Sequence, residues 1–393
     1  MSQDSSSTLP VERPAASAPG LRTDILQLLQ KRRELSRSEI ATELGKSIPA
    51  VTAHIRALET DGFVADSGQG GWTGGRRSVM VQFRPNARTL VAADIRPGSV
   101  RAVLTDLDTT IIRERTRSLP GRPSERTFID TIGACCREVM SELPTGCGPI
   151  VGAGLSLPGT VHSETLEMVF APNLGLRNVQ CTALERKLQL PLWIDNEANV
   201  AALAEHQFGG HGSSRHVVYV SVIEGIGVGV VIDGTIYRGA RGAAGEFGHM
   251  TIVENGRQCS CGRRGCWERY ASVDVLISEY HLLGGSAAVS TVDDVAEALS
   301  RGDANASAAV ERILDSLAIG IENLAVGLDP DRIVVGGAIT GSTGSMRLIV
   351  EQGLRSRVPR YDIIASTLGD DAAIRGAALL PRSTLIPART KSL

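Results

Sequence analysis

The feature that most constrains this chain is a compact set of one histidine and three cysteines between residues 249 and 266. His249 is followed by the thiols of Cys259, Cys261 and Cys266, in the pattern Cys-Ser-Cys-Gly-Arg-Arg-Gly-Cys. One imidazole and three thiols form a preferred tetrahedral donor set for zinc, so the segment is expected to fold back on itself around one ion. Because protein would fill all four positions, we expect one structural zinc ion per chain.

The same cysteines allow two alternatives to a metal site. The thiols could simply be buried in a glycine-rich loop. They could form a redox pair, but such pairs use Cys-x-x-Cys, whereas a single residue separates Cys259 from Cys261. The chain has seven cysteines, and its first residues contain no apolar export signal. We therefore expect no disulfide framework and a cytoplasmic protein whose thiols are free to hold metal.

The length of 393 residues accommodates two or three domains. Residues 1–19 are polar and rich in Pro, Ser and Ala, which predicts a disordered leader, and residues 383–393 are expected to be a tail. The longest apolar runs, such as Gly225–Ile232, are too short for a membrane helix, so no membrane partner is expected.

From Leu90 onward, strand-like apolar runs alternate with helical patterns, which predicts an α/β fold with layered sheets. The predicted strands are Leu90–Ala93, Val100–Leu104, Ile150–Leu157, Leu192–Ile194, His216–Val222, Gly227–Ile232 and Arg332–Val335. Helical patterns cover Glu125–Leu143, Val200–Phe208 and Ala308–Val326. Two α/β halves with a cleft between them would fit the length.

Residues 20–85 carry a different pattern. Leu21–Arg32 and Ser38–Leu44 have helical spacing, and Gly45 is a natural stop for the second helix. Ser47 is a good N-cap for a third helix, which is expected to end near residues 61–62. Two short strands then flank a glycine-rich tip at 67–75. This order predicts a winged helix-turn-helix, although such triplets of helices also serve as protein-interaction modules.

The third helix is the candidate DNA-reading element. Its apolar positions, Val51, Ile55 and Leu58, are expected to face the core. The opposite face of the helix and the wing then supply the candidate contacts to operator DNA. Lys and Arg outnumber Asp and Glu by three between residues 20 and 84, and this positive charge favours binding to phosphates. These candidates are Ser47, Pro49, Thr52, Ala53 and Arg56 on the helix, and Arg76 and Arg77 on the wing.

The motif Gly-Glu-Phe-Gly-His at 245–249, followed by the cysteine pattern and Glu268, resembles the signature of the ROK family (repressor, open reading frame, kinase). The resemblance covers about 89–380. It implies an actin-like (RNase H-like) ROK domain over 89–382, with two α/β lobes and a sugar bound between them. It also implies that His249 and the three clustered cysteines bind the zinc ion, and that the added helix-turn-helix marks a repressor.

The same resemblance assigns the sugar site. Carboxylates and amides around a cleft supply paired donors and acceptors for vicinal hydroxyls. The matched positions are Asn173, Asn196, Glu197, Glu246, His249 and Glu268. His249 would then serve both the metal and the sugar.

Kinases of the family carry two phosphate loops, and both differ here. The first should resemble Asp-x-Gly-Gly-Thr, but Arg96 and Pro97 replace its glycines, and proline removes an N–H donor. In the second, Glu224 replaces a hydroxyl residue and adds negative charge. Glycines 336 and 337 resemble the adenosine-side loop and are interpreted as a relic or a structural turn. No kinase activity is expected.

The favoured hypothesis is a transcriptional regulator, most simply a repressor of carbohydrate uptake or catabolism genes. A sugar effector would modulate its binding to operator DNA, and the chain would act as a homodimer or a dimer of dimers. One alternative is an ATP-dependent sugar kinase with a regulatory DNA-binding head. Another is a regulator controlled by a protein partner.

Overall fold

A computed structural model of the chain describes residues 20–69, 79–210, 214–342 and 344–386. Its helices are α1 (Leu21–Arg32), α2 (Arg37–Leu44), α3 (Ile48–Thr60), α4 (Glu125–Met140), α5 (Thr182–Leu188), α6 (Glu197–Phe208), α7 (Glu268–Ala271), α8 (Val273–Leu282), α9 (Val292–Ser300), α10 (Ala304–Leu328), α11 (Ser345–Arg357) and α12 (Ala372–Arg382). Its strands are β1 (Glu34–Ser36), β2 (Val64–Gln69), β3 (Val79–Phe83), β4 (Thr89–Arg96), β5 (Ser99–Thr105), β6 (Ile111–Ser118), β7 (Ile150–Leu157), β8 (Thr160–His162), β9 (Glu167–Ala171), β10 (Leu176–Gln180), β11 (Leu192–Asn196), β12 (His216–Val222), β13 (Ile226–Ile232), β14 (Thr235–Ile236), β15 (Arg332–Gly336) and β16 (Ile363–Ala365).

Helices α1 to α3 and a three-stranded sheet in the order β1-β3-β2 form the predicted winged helix-turn-helix. Gly45 ends α2 with a φ of +62°, and the Ser47 side chain accepts a hydrogen bond from the amide of Ala50 at the start of α3. Strand β1 has no counterpart among the predicted elements, because three residues are too few for a periodic signal. Strand β2 also runs on to Gln69, into the segment expected to be a loop tip.

The described residues up to Gly159, Ser163–Ile194 and the described residues from Ala377 onward form one compact unit. Besides the helix-turn-helix, this unit contains a five-stranded sheet in the order β11-β7-β4-β5-β6. Strand β4 pairs with β5 in antiparallel fashion and with β7 in parallel. The DNA-binding head and the first α/β lobe therefore belong to the same unit.

The second unit comprises Thr160–His162 and Asp195–Gly376. Its five-stranded sheet has the order β14-β13-β12-β15-β16, with β12 and β13 antiparallel and β12 and β15 parallel. The α/β class predicted from the alternating pattern is confirmed. No helix among the described residues is long and apolar enough to cross a bilayer.

Candidate functional site

The predicted metal ligands come together in the second unit. His249 ends a 3₁₀ turn at Glu246–His249, and its Nδ1 lies 3.6 Å from Sγ of Cys259. Sγ of Cys261 and Sγ of Cys266 are also 3.6 Å apart, and the four ligand atoms all lie within 4.8 Å of one another. Three thiols and one imidazole so close together fit a tetrahedral metal ion. The cluster predicted from the sequence can therefore hold a metal ion.

The loop that carries the cysteines needs its glycines. Two isolated bridges, Thr251 to Cys266 and Gln258 to Arg264, fold the loop back on itself. Gly265 has a φ of +76°, and a Cβ there would lie 1.8 Å from the carbonyl oxygen of Val253. Only glycine permits that approach.

Protonation and metal binding are linked in this cluster. Burial raises the pKa of Cys259 to about 12 and also raises the pKa of Cys266. Burial raises the pKa of Cys261 as well, but hydrogen bonds, first from the backbone of Arg263, outweigh it and lower that pKa to about 7. A metal must displace protons from such thiols to be bound by thiolates.

Trp267 anchors this loop to the core. It lies between Cys266 and Glu268, is fully buried, and donates from Nε1 to the carbonyl oxygen of Ser316 at 2.9 Å. A Cβ on Gly320 of α10 would lie 2.0 Å from the indole ring, so that glycine makes room for it. Neither Trp267 nor Gly320 belongs to a motif that would reveal this role in the sequence.

Two of the predicted sugar ligands, Glu246 and Glu268, lie on either side of the imidazole of a third, His249. Nδ1 of His249 faces the cysteines and lies 3.4 Å from Oε1 of Glu268, whereas Nε2 lies 3.8 Å from Oε2 of Glu246. Glu246 accepts a hydrogen bond from Thr160 Oγ1 at 3.2 Å, and its side chain is 44% exposed. One ring can therefore serve the metal on one side and a polar ligand on the other.

Two further predicted ligands lie at the start of α6. Asn196 is the N-cap, and its Oδ1 accepts from the amide of Ala198 at 2.9 Å. Glu197 accepts from Ser221 Oγ at 3.0 Å. Both carboxylates lie beside the β12–β13 hairpin. A Cβ on Gly227 would lie 4.0 Å from Oε2 of Glu197, and a Cβ on Gly225 would lie 3.1 Å from Oε2 of Glu268. The sixth predicted ligand, Asn173, is exposed in a 3₁₀ turn of the first unit.

Asp195 is a functional candidate that the sequence motifs do not include. It is buried beside Asn196, and its Oδ1 accepts from Nδ2 of Asn199 at 2.8 Å. Its Oδ2 accepts from Nε of Arg238 at 2.7 Å. Its position directly after the apolar strand Leu192–Ile194 could have marked Asp195 as a candidate in the sequence. Its partner Arg238, 43 residues away, could not have been predicted from a local pattern.

Helix α3 presents the predicted DNA-reading face to solvent. Ser47, Pro49, Ala53 and Arg56 are exposed, and Thr52 is half-buried. On the opposite face Val51, Ile55 and Leu58 are fully buried, as predicted. Arg76 and Arg77 lie outside the described residues.

The two positions matched to phosphate loops are tight hairpin turns. Strands β4 and β5 pair directly from Arg96 to Ser99, and Arg96 Nε donates to Asp94 Oδ2 at 2.6 Å. In the β12–β13 turn the amide of Ile223 donates to the carbonyl oxygen of Gly225 at 3.0 Å.

Two family models match the chain, and together they cover most of its length. The ROK family model matches residues 91–384, and a model described as winged helix-turn-helix DNA-binding matches residues 21–65. The xylose repressor of Bacillus subtilis (strain 168) is 31% identical over 361 residues, which is 90% of this chain and 92% of that protein.

The solved structures that resemble the chain include a regulator and a kinase. A ROK family transcriptional regulator, a homologue of the Escherichia coli MLC protein, superposes with a TM-score of 0.77 and 21% identity over 93% of this chain and 96% of its own. A ROK family glucokinase from Streptomyces griseus, in complex with glucose and AMPPNP, gives a TM-score of 0.67 and 25% identity over 75% of this chain and 99% of its own.

Proposed function

The chain belongs to the ROK family, and from that premise we propose that it is a transcriptional repressor whose binding to operator DNA is modulated by a sugar. The genes it controls are proposed to serve carbohydrate uptake or catabolism. The observation that carries this proposal is the winged helix-turn-helix fused to a ROK domain, with the α3 face open to solvent. Recognition helices of this type enter the major groove and read base edges there.

The effector is proposed to be a sugar held by the polar groups around the metal cluster. Glu246, His249 and Glu268 provide acceptors and a ring N–H, and Asn196, Glu197 and Asn173 are proposed to complete the site. Polar groups arranged in this way bind vicinal hydroxyls. A ligand that lacks one hydroxyl would leave a covered polar group unpaired and would be rejected. A similar chain is named a xylose repressor, so D-xylose is the first sugar to test.

The ion is proposed to be zinc, one per chain, in a structural role. Thiolate and imidazole donors suit zinc, and four protein ligands leave no open position for catalysis. When bound, the ion fixes the loop that carries His249 and thereby the polar groups beside it. Zinc would thus shape the effector site without taking part in a reaction.

We also propose that the chain is not a kinase, although some similar proteins are. Arg96 pairs with Asp94 where the first phosphate loop would lie, and Pro97 has no backbone N–H to donate there. In the second loop Glu224 adds a negative charge that would repel phosphate. Gly337 has a φ of +83° and packs against the backbone of Val222, which supports a structural role for that turn.

The repressor is proposed to act in the cytoplasm as a homodimer or a dimer of dimers, since paired heads read two half-sites one or more helical turns apart. Light scattering of the purified full-length protein would give its mass in solution. A monomer at the concentration that saturates the operator would contradict this part of the proposal.

The decisive experiment is fluorescence anisotropy of the full-length protein on the DNA that flanks its own gene, with D-xylose, D-glucose and other sugars. We expect tight, salt-dependent binding that one sugar class releases. Tight binding that no sugar releases would overturn sugar control and favour a protein partner. Failure to bind DNA, together with sugar-dependent ATP turnover, would establish the kinase alternative.

A further inference from the structure

Helix α12 connects the two units through its own backbone. Its residues up to Gly376 belong to the second unit, and its residues from Ala377 belong to the first. Its last residue, Arg382, reaches the DNA-binding head. Each half of the helix is therefore packed within a different unit.

At its C-terminal end, α12 enters a buried polar cluster, which we call the latch: Arg382, Gln30 of α1, and Asp108 in the turn between β5 and β6. Nη2 of Arg382 donates to Oε1 of Gln30. Nε2 of Gln30 in turn donates to Oδ1 of Asp108 at 2.8 Å, and Arg33, the residue that follows α1, pairs with Oδ2 of that carboxylate. The latch thus joins the head, the first sheet and the C-terminal helix.

The latch places polar groups where they are largely shielded from water. Arg382 is 5% exposed and Gln30 is 8% exposed, so each polar group depends on the others for compensation. Burial lowers the pKa of Arg382 to about 10, while the charges of Asp108 and Asp106 raise it. The guanidinium therefore stays charged at neutral pH. Removal of one partner from a buried charged network lowers the free energy of unfolding, because the remaining groups lose their compensation. The network therefore responds as a unit.

At the other end, α12 is packed backbone to backbone on α6, the helix that begins at the proposed sugar ligands. A Cβ on Gly376 would lie 1.8 Å from the carbonyl oxygen of Val200. Glu205 of α6 is fully buried and accepts hydrogen bonds from the amides of Thr367 and Leu368, both at 3.1 Å. These contacts tie α6 to the first residues of α12 and to the loop that precedes it.

The half of α12 in the first unit is held equally closely. A Cβ on Gly154 of β7 would lie 1.9 Å from the carbonyl oxygen of Ala377. Contacts between backbones leave little room for one element to move without the other, because packed interiors are not continuously deformable. The backbone of α12 therefore touches α6 within the second unit and β7 within the first.

We propose that α6, the loop at residues 366–368, and α12 form a relay from the sugar site to the DNA-binding head, with the Arg382–Gln30–Asp108 latch as its output. The relay deepens the proposed function and rests on it for the identity of the input signal. Sugar bound beside Asn196 and Glu197 would favour one position of α6, and the latch would pass that preference to α1. Coupling of this kind requires an element that can adopt two arrangements, and both the sugar and the DNA must shift the balance between them.

The first test uses hydrogen exchange of the full-length protein and needs no effector. Gln30→Leu breaks the latch from the head side, and Arg382→Met breaks it from the helix side. Arg126→Met is the matched control, because this side chain is 92% exposed in the same unit. We expect Gln30→Leu to speed exchange in α12, in residues 366–368 and in α6, and the control to leave them unchanged. Faster exchange confined to α1 would overturn the relay, even if Arg382→Met fails to fold.

The second test measures coupling. Operator affinity is titrated by anisotropy with and without D-xylose, or another sugar to which the wild-type protein responds. Couplings between sites are typically ~5–150-fold, and we expect Gln30→Leu and Arg382→Met to reduce the wild-type factor to about twofold or less, while sugar affinity without DNA is kept. A latch variant that responds to sugar as the wild type does would overturn the relay. A wild-type protein that answers no sugar would overturn the proposed function instead, and the exchange experiment would still decide the relay.

Discussion

Cys266 is buried, and its Sγ lies 3.6 Å from Sγ of Cys261. Replacement of Cys266 by serine removes a soft thiolate donor, so we expect the purified protein to lose most of its bound metal. Cys147→Ser is the matched control, because this half-buried cysteine lies outside the cluster. Metal content measured by inductively coupled plasma mass spectrometry checks both. Full occupancy in the Cys266 variant would contradict the ligand assignment.

Glu246 is the more exposed of the two carboxylates beside His249. Glu246→Gln keeps its size but removes the charge that strengthens a hydrogen bond to a sugar hydroxyl. We expect sugar affinity to fall roughly tenfold, in line with the larger contribution of charged hydrogen bonds. Glu254→Gln, an exposed carboxylate in the same segment, is the control. Isothermal titration calorimetry measures both, and equal affinities would remove Glu246 from the site.

Among the secondary-structure elements, α10 supports the metal loop through Gly320. An alanine there would place its Cβ about 2.0 Å from the indole of Trp267, so the ring or the helix must move. We expect Gly320→Ala to lower the free energy of unfolding by about 1–3 kcal/mol, as overpacked cores do.

Gly327→Ala on the same helix is its control, since nothing lies within 4 Å of that position. There the higher helix propensity of alanine should leave stability unchanged or slightly raised. Thermal unfolding followed by circular dichroism compares the two. Equal midpoints would mean that the Trp267 contact does not constrain α10.

Helix α3 gives a prediction about DNA. Arg56 is exposed on the face opposite the buried Val51, Ile55 and Leu58. If Arg56 contacts a phosphate, Arg56→Ala should weaken operator binding on all sequences and reduce the salt slope by about one unit. Anisotropy titrations at several salt concentrations measure that slope, with Arg126→Ala as control. An unchanged slope with altered sequence preference would assign Arg56 to a base instead. The same measurement applies to Arg76 and Arg77, which the sequence predicts to lie on the wing.

At the scale of the whole molecule, metal removal should abolish sugar binding without abolishing DNA binding. The ligands all belong to the second unit, whereas the DNA-binding head belongs to the first. Because bound metal stabilises only the folded state, we expect chelation to lower the unfolding midpoint by roughly 10 °C. Sugar binding should be lost, while DNA binding without sugar is kept. Loss of DNA binding at the same chelator concentration would show that the cluster supports the head as well.

The sequence by itself determined the local features of this protein. Helix α1 matches its predicted bounds, and Gly45 and Ser47 end α2 and begin α3 as expected, because caps and apolar periodicity are encoded within a few residues. The cluster that could hold a metal ion was also predictable, since a short segment supplies all four side chains. The family followed from the same motif.

Only the tertiary structure decided which distant residues meet. Strand β1 exists because β3 pairs with it, and its three residues carry no pattern of their own. Three contacts join residues that are far apart in the sequence, where no local pattern could predict them. They are Asp195 with Arg238, Trp267 with Gly320, and Arg382 with Gln30. The contributions of these contacts to stability depend on burial and on a compensating partner, and both exist only after the chain has folded. For that reason the ligand set could be predicted from residue types, whereas the proposed relay required the fold.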